Sequence, residues 1–303
     1  MRLLFAALAA LMALAQQPGT RVLLDAHNCY PYEGKWPDRI DRALQLDLPI
    51  AIEQDLYWHV GRSVVAHDKP QSSDLPDLKT HFFERIRPLV EKALAEPRRD
   101  QWPLIVLNLD FKTNEPEHHA AVWNTLGEYE AWLTTAPKKN ARSEPEPLEW
   151  GPVLVLTGAA ADQEVSFYEQ LREGDRLRLF GAAATVKGQL PGFVTNYRRW
   201  WNNPWSVVEE GGQPKAGAWT KADQTRLNAL VAHARKQGLW LRFYTLNGHT
   251  AAEGVRQGWS KGYNFGSLEA ARLRWKAAIA AGVDFIATDQ YEEFAAELAK
   301  TPR

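Results

Sequence analysis

Short β-branched or leucine-rich runs, each bounded by turn residues, alternate along the chain with longer stretches whose apolar side chains recur at helical spacing. That alternation predicts a parallel α/β fold. Strands are expected at Val22 to Ala26, Ile50 to Gln54, Leu104 to Leu109, Val153 to Thr157, Arg176 to Phe180, Phe193 to Asn196, Leu239 to Thr245 and Phe285 to Thr288. Eight strands suit a closed (β/α)8 TIM barrel. Helices are expected at Pro37 to Leu46, Leu75 to Leu94, Glu117 to Leu133, Lys221 to Lys236 and Leu268 to Ala281, the last two ending before Gly238 and Gly282. The connections are long enough for right-handed crossovers, and no repeat or low-complexity tract interrupts them. One domain is therefore expected from Gln16 to Arg303.

Two stretches break the pattern and read as loops: Lys138 to Glu149, rich in charge and proline, and Tyr197 to Trp219, which carries Trp200, Trp201, Trp205 and Trp219 among glycines and asparagines. The first precedes a strand and would lie on the face opposite an active site. The second follows a strand, so it is expected at the C-terminal rim. There its indoles are expected to insert into lipid, to stack on substrate or to pack a lid, with Arg198 and Arg199 suited to an anionic headgroup. A peripheral membrane contact through Trp200 to Trp205 is one expectation.

Composition narrows the partners. The 303 residues are 45% hydrophobic and 24% charged, with a formal net charge of -1. No global field would draw the chain to nucleic acid, so no nucleic-acid partner is expected, and any phosphate recognition must be local. Residues 1–15 read as a secretory signal: Arg2, an apolar run from Leu3 to Leu14, then a small-x-small site at Ala13 to Ala15. Its length, about a dozen apolar residues, falls short of the roughly 20 that span a bilayer. An exported location, periplasmic or secreted, is expected. Cys29 is the only cysteine, which excludes an intrachain disulfide and reads as a buried filler rather than a nucleophile.

Chemistry gathers at the ends of the early strands, in Asp25-Ala26-His27-Asn28, Glu53-Gln54-Asp55, Val65-Ala66-His67-Asp68 and Leu109-Asp110-Phe111-Lys112. Period-two spacing puts Glu53 with Asp55, and Asp110 with Lys112, on one face of an extended strand. Carboxylate and amide oxygens of this kind suit one divalent cation, Ca²⁺ or Mg²⁺, better than zinc. Two histidines beside such an ion offer a general base and a general acid near neutral pH.

In order and spacing, His27-Asn28, Glu53-x-Asp55, Val65-Ala66-His67-Asp68 and Asp110-x-Lys112 resemble the superfamily of glycerophosphodiester phosphodiesterases and phosphatidylinositol-specific phospholipases C. Tyr244 to Asn247 resembles that superfamily's penultimate strand, and Gly282 to Asp289 its last. The glycerophosphodiesterase pattern has arginine and glycine after the first histidine, where this chain has Asn28 and Cys29. A histidine followed by asparagine is instead similar to metal-dependent phospholipases C and to a calcium-type, phospholipase-C-like branch.

The resemblance implies Asn28, Glu53, Asp55 and Asp110 as metal ligands, His27 and His67 as the catalytic pair with Asp68 orienting the second imidazole, and Lys112 as a phosphate contact. Arg242 and Tyr244, spaced to point inward on strand seven, are candidate substrate contacts or core hydrogen-bonding groups; Asn196 is a weaker candidate. The remaining histidines read as surface or packing residues. The implied activity is a metal-dependent phosphoric diester hydrolase acting on a small phosphodiester or phospholipid headgroup, through a cyclic phosphate or directly to the open product. Competing readings are release of glycerol 3-phosphate, a non-catalytic phosphate- or glycan-binding barrel, and a glycosidase using Glu53 and Asp110.

Overall fold

The computed structural model describes residues 17–32, 34–72, 74–97, 99–139, 144–185 and 190–300; the expected signal segment and the domain start at Gln16 lie outside them. The strands are β1 (Leu23–Ala26), β2 (Ile50–His59), β3 (Arg62–Val65), β4 (Ile105–Phe111), β5 (Ala136–Pro137), β6 (Val153–Thr157), β7 (Arg176–Leu177), β8 (Phe180–Ala182), β9 (Arg198–Pro204), β10 (Trp240–Tyr244) and β11 (Phe285–Thr288). The fold class is α/β: β1, β2, β4, β6, β8, β9, β10 and β11 are the parallel strands of a (β/α)8 barrel, as the alternation predicts. No described helix is long and apolar enough to cross a membrane.

The described chain forms two compact units, residues 28–200 and residues 17–27 with 201–300. In the first, β2, β4, β6 and β8 follow one another in parallel, and β3 folds back antiparallel on β2. Residues Ile50 to Leu56, Ile105 to Leu109 and Val153 to Thr157 are buried without interruption, the mark of strands covered on both faces. The helix Glu84–Ala95 turns Ile86, Val90 and Ala93 to this core, and Pro116–Glu128 turns Val122 and Leu126.

In the second unit, β11 lies parallel between β1 and β10. The helix Lys221–Gln237 opens on a reciprocal capping box between Thr220 and Asp223 and stops at Gly238, whose φ of 75° is the left-handed geometry that glycine adopts without penalty. The helix Leu268–Ala281 stops in the same way at Gly282, and both glycines sit where the sequence places them. The buried carboxyl of Asp284 accepts from the backbone N–H of Gly19 at 2.6 Å and of Leu241 at 2.9 Å, fastening the segment before β1 and the start of β10 to the residue that precedes β11.

Two strand assignments are corrected. Arg176–Leu177 pairs with Ala136–Pro137 in a separate two-stranded sheet, and the fifth barrel strand is the later, shorter Phe180–Ala182. The sixth is not Phe193 to Asn196 but Arg198–Pro204, within the stretch expected to be loop. Indole packing decides this, because Trp200, Trp201 and Trp205 are all fully buried and the Trp200 Nε1–H donates to the Thr157 carbonyl at 2.8 Å. Of the indoles expected at a lipid surface, Trp200, Trp201 and Trp205 are packed in the core. Arg198 is paired with Glu164, and Arg199 donates to the carbonyls of Asn196 and Glu146, so neither guanidinium is held out for an anionic headgroup. Asn196 is also committed, accepting from Glu146 N–H and donating to the Pro137 carbonyl.

Candidate active site

The register of β2 against β4 builds the acidic centre. Asp55 pairs with Asp110, and Glu53 with Asn108. Side chains paired across a parallel ladder share a face, so Asp110 joins the face on which Glu53 and Asp55 already lie two residues apart. Carboxylate oxygens of Glu53, Asp55 and Asp110 all fall within 4.8 Å of one another. Asp55 is 1% exposed, Glu53 is buried and Asp110 is open to solvent. Burial first, then repulsion from Glu53 and Asp110, pushes the Asp55 carboxyl up to about 8 against an ordinary 3.8.

Lys112 follows Asp110 at strand spacing, and its ammonium lies 2.7 Å from Asp110 Oδ2 and 3.0 Å from Asp55 Oδ2. Burial alone would favour its neutral form; the neighbouring Asp55 and Asp110 outweigh that and raise its pKa. Asn28 enters from the loop after β1 with φ of 55°, a left-handed geometry that asparagine tolerates better than most residues. Its backbone N–H donates to Glu53 Oε2 at 3.2 Å. Tyr30 completes the group. Its hydroxyl lies 2.7 Å from both Asn28 Oδ1 and Asp55 Oδ2.

The residues fit a divalent cation. The donor set is all oxygen, the ordinary choice of hard ions, and Asp55 Oδ1 is buried without a hydrogen-bond partner. A buried polar atom left so costs about 1–3 kcal/mol, a cost that a bound cation would remove.

His67 hangs from the strand that folds back on β2, where the Ala66 N–H donates to the Asp55 carbonyl at 3.0 Å. Its imidazole is 46% exposed, with Nδ1 3.0 Å from Asp68 Oδ1, the orienting partner that the sequence suggested. Tyr32 donates to the other oxygen of Asp68 at 2.8 Å. That hydrogen bond, with those from and charge on His67, holds the Asp68 carboxyl below its usual range.

His27, in the other unit, ends β1 as Asp289 ends β11. Ala26 pairs with Thr288 in register, so the next residues on the two strands stand side by side. His27 Nδ1 lies 3.2 Å from Asp289 Oδ1. Asn247 donates to the second Asp289 oxygen, while its own amide oxygen accepts from the Thr288 hydroxyl and the Asp289 N–H, both at 2.8 Å. An imidazole that donates through Nδ1 to a carboxylate has its second ring nitrogen, Nε2, as the acceptor. The Tyr263 ring meets the imidazole edge-on at 5.8 Å, and Tyr244 meets Tyr263 at 6.2 Å. Arg242, a candidate substrate contact, is buried, with its guanidinium on Asp25 and on Asn202 Oδ1, the latter at 3.1 Å. Tyr244 remains half-buried.

Sequence reasoning missed Tyr30, Asp289 and Asn247. Asp289 carried a usable signal, because a carboxylate just after the last barrel strand occupies the same level as His27 just after the first. Tyr30 carried none beyond lying next to the constellation. Of the other histidines, His118 and His119 are buried and bonded to Ser63, Thr113, Ser166 and Asn114, as packing residues would be.

Against known proteins, no family model and no curated protein matches the sequence. Among solved structures, a glycerophosphodiester phosphodiesterase from Parabacteroides distasonis superposes with a TM-score of 0.52 at 13% identity, over 92% of this chain and 97% of that one. The two share a fold. A glycerophosphoryl diester phosphodiesterase from the same organism has a TM-score of 0.47 at 12% identity over 95% and 90% of the two chains. A glycerophosphodiester phosphodiesterase from Agrobacterium tumefaciens has 0.38 at 12% over 92% and 99%.

Proposed function

We propose that this protein is an exported phosphoric diester hydrolase that uses one divalent cation and takes small phosphodiesters of the glycerophosphodiester type. One observation supports the reading above all: three carboxylates from two neighbouring strands meet on one sheet face, and a buried oxygen of the central one lacks a partner. Glu53, Asp55, Asp110 and Asn28 would hold the ion. When bound it would supply Lewis-acid polarisation of a phosphoryl oxygen. The Lys112 ammonium adds positive charge beside the same carboxylates. Asp289 holds the His27 ring and Asp68 the His67 ring, each through Nδ1. One imidazole takes the proton of the attacking water or hydroxyl, and the other gives a proton to the departing alkoxide.

The glycosidase reading is disfavoured. An acid and a base drawn from Glu53 and Asp110 would leave the buried Asp55 between them and both rim imidazoles without a role. A cyclising, phospholipase-C-like reaction is the second reading, favoured by Asn28, whose amide oxygen shares a hydrogen-bond partner with Asp55. Phosphorus NMR of the purified chain with glycerophosphocholine, with and without a chelator, separates these. Glycerol 3-phosphate that disappears on chelation supports the first reading, and a cyclic phosphate the second. Hydrolysis that persists in both His27→Ala and Glu53→Ala would refute the assignment. Export is checked by the mass of the mature N-terminus, expected near Gln16.

A further inference from the structure

The Tyr30 ring is fully buried, and its hydroxyl meets two acceptors at 2.7 Å with a single proton to give. Both acceptors, Asn28 Oδ1 and Asp55 Oδ2, belong to the oxygens that form the proposed cation site. Main-chain contacts immobilise the same stretch: the Tyr30 N–H donates to the Asn28 carbonyl at 2.9 Å, and Arg39 Nη1 donates to that carbonyl at 3.1 Å. Arg39 in turn lies over the Trp36 ring at 4.1 Å, and Trp36 packs edge-on against Tyr30 at 6.0 Å. The phenol is therefore braced from behind. It engages one oxygen of Asp55 and leaves Oδ1 without a partner.

We infer that Tyr30 is a positioning residue for the cation: its hydroxyl ties the Asn28 amide to the Asp55 carboxylate and so presets both as ligands. The inference rests on the cation reading of the same site. Presetting has a selective consequence. Mg²⁺ demands near-ideal octahedral geometry, whereas Ca²⁺ accepts looser and more variable coordination. A ligand pair fixed by a rigid, braced phenol favours the stricter ion, and releasing the pair harms that ion more.

Calorimetric titration of the full chain with magnesium chloride and with calcium chloride tests this in wild type, Tyr30→Phe and Asp55→Asn. The phenylalanine variant keeps the ring and its packing on Trp36 and loses only the hydroxyl. Removing an outer partner of a metal ligand typically costs about 10–100-fold in affinity. The expected result is a loss of about tenfold or more for Mg²⁺ in Tyr30→Phe, a smaller loss for Ca²⁺, and loss of binding for both ions in Asp55→Asn. Equal affinities in wild type and Tyr30→Phe would overturn the role of Tyr30 while leaving the cation reading intact. Equal losses for the two ions would overturn the presetting argument. Wild type that binds neither ion would remove the cation reading itself, and this inference with it. If Tyr30→Phe does not fold, 3-fluorotyrosine at position 30 of the otherwise unaltered chain replaces it: a fluorine resonance that moves on saturation with Mg²⁺ supports the coupling, and one that stays fixed overturns it.

Discussion

Binding of the proposed cation should release a proton, and the amount follows from Asp55. Its carboxyl is pushed up to about 8 by burial and by the neighbouring Glu53 and Asp110, so at pH 7 most ion-free molecules are expected to hold a proton there, about nine-tenths at that pKa. Only the carboxylate is a good ligand for a hard divalent ion, so an ion held by Asp55 at pH 7 is expected to expel about 0.9 proton. The apparent association constant is divided by one plus the ratio of protonated to ionised Asp55. That factor is about 100 at pH 6 and about 1 at pH 9, so the affinity should rise close to tenfold per pH unit below 8 and level off above. Titration calorimetry at pH 7 in two buffers of different ionisation enthalpy measures the proton count, and a series from pH 6 to 9 measures the slope. Flat affinity across that range, with the same heat in both buffers, would show that Asp55 is already ionised or does not bind the metal. The raised pKa also fixes the sign for folding. Without metal, the stability contributed by Asp55 is fully present below its unfolded pKa near 3.8 and is lost as pH rises through about 8.

Three further outcomes can be measured. Asp289→Asn removes the carboxylate that orients His27 and should lower kcat by about 10²-fold or more with KM little changed; a rise in KM with kcat unchanged would overturn the orienting role. Burial pushes the His118 imidazole down to about 4, so the stability it contributes is present above its unfolded pKa near 6.5 and is lost as pH falls through 4. His118→Asn should therefore flatten the dependence of the urea midpoint between pH 7 and pH 4, and an unchanged slope would contradict the shift. Trp205→Ala deletes a fully buried indole whose N–H donates to Glu209 at 2.7 Å, and should cost about 3–5 kcal/mol by denaturant unfolding; a loss below about 1 kcal/mol would mean that the ring is not core.

Much of the barrel was legible because its strands obey simple rules. Val153–Thr157 and Phe285–Thr288 fall where short apolar runs bounded by turns put them, and Leu268–Ala281 where helical spacing and Gly282 do. Strand six defeated that reasoning. Arg-Arg-Trp-Trp-Asn-Asn-Pro has the composition of a loop, and only the burial of its indoles makes it a strand, an effect of tertiary packing on a weak local preference. Strand five was displaced because its core is Phe-Gly-Ala, with no β-branched residue to mark it. Gly181 is required there, since a Cβ would stand 2.3 Å from the Tyr197 ring. The carboxylates were legible from period-two spacing, which local sequence carries. Tyr30 was not, because its position depends on how a loop folds back, and no periodicity encodes that.

The pairing of Asp55 with Asp110 has a consequence for how the chain tells correct from incorrect assembly. Shifting β4 by one residue would set Leu109 or Phe111 opposite Asp55 and turn the Asp110 carboxylate to the other side of the sheet. A misaligned sheet would thus lack its third acidic group, and an ion able to bind only the correct alignment would stabilise that alignment in proportion to its own affinity.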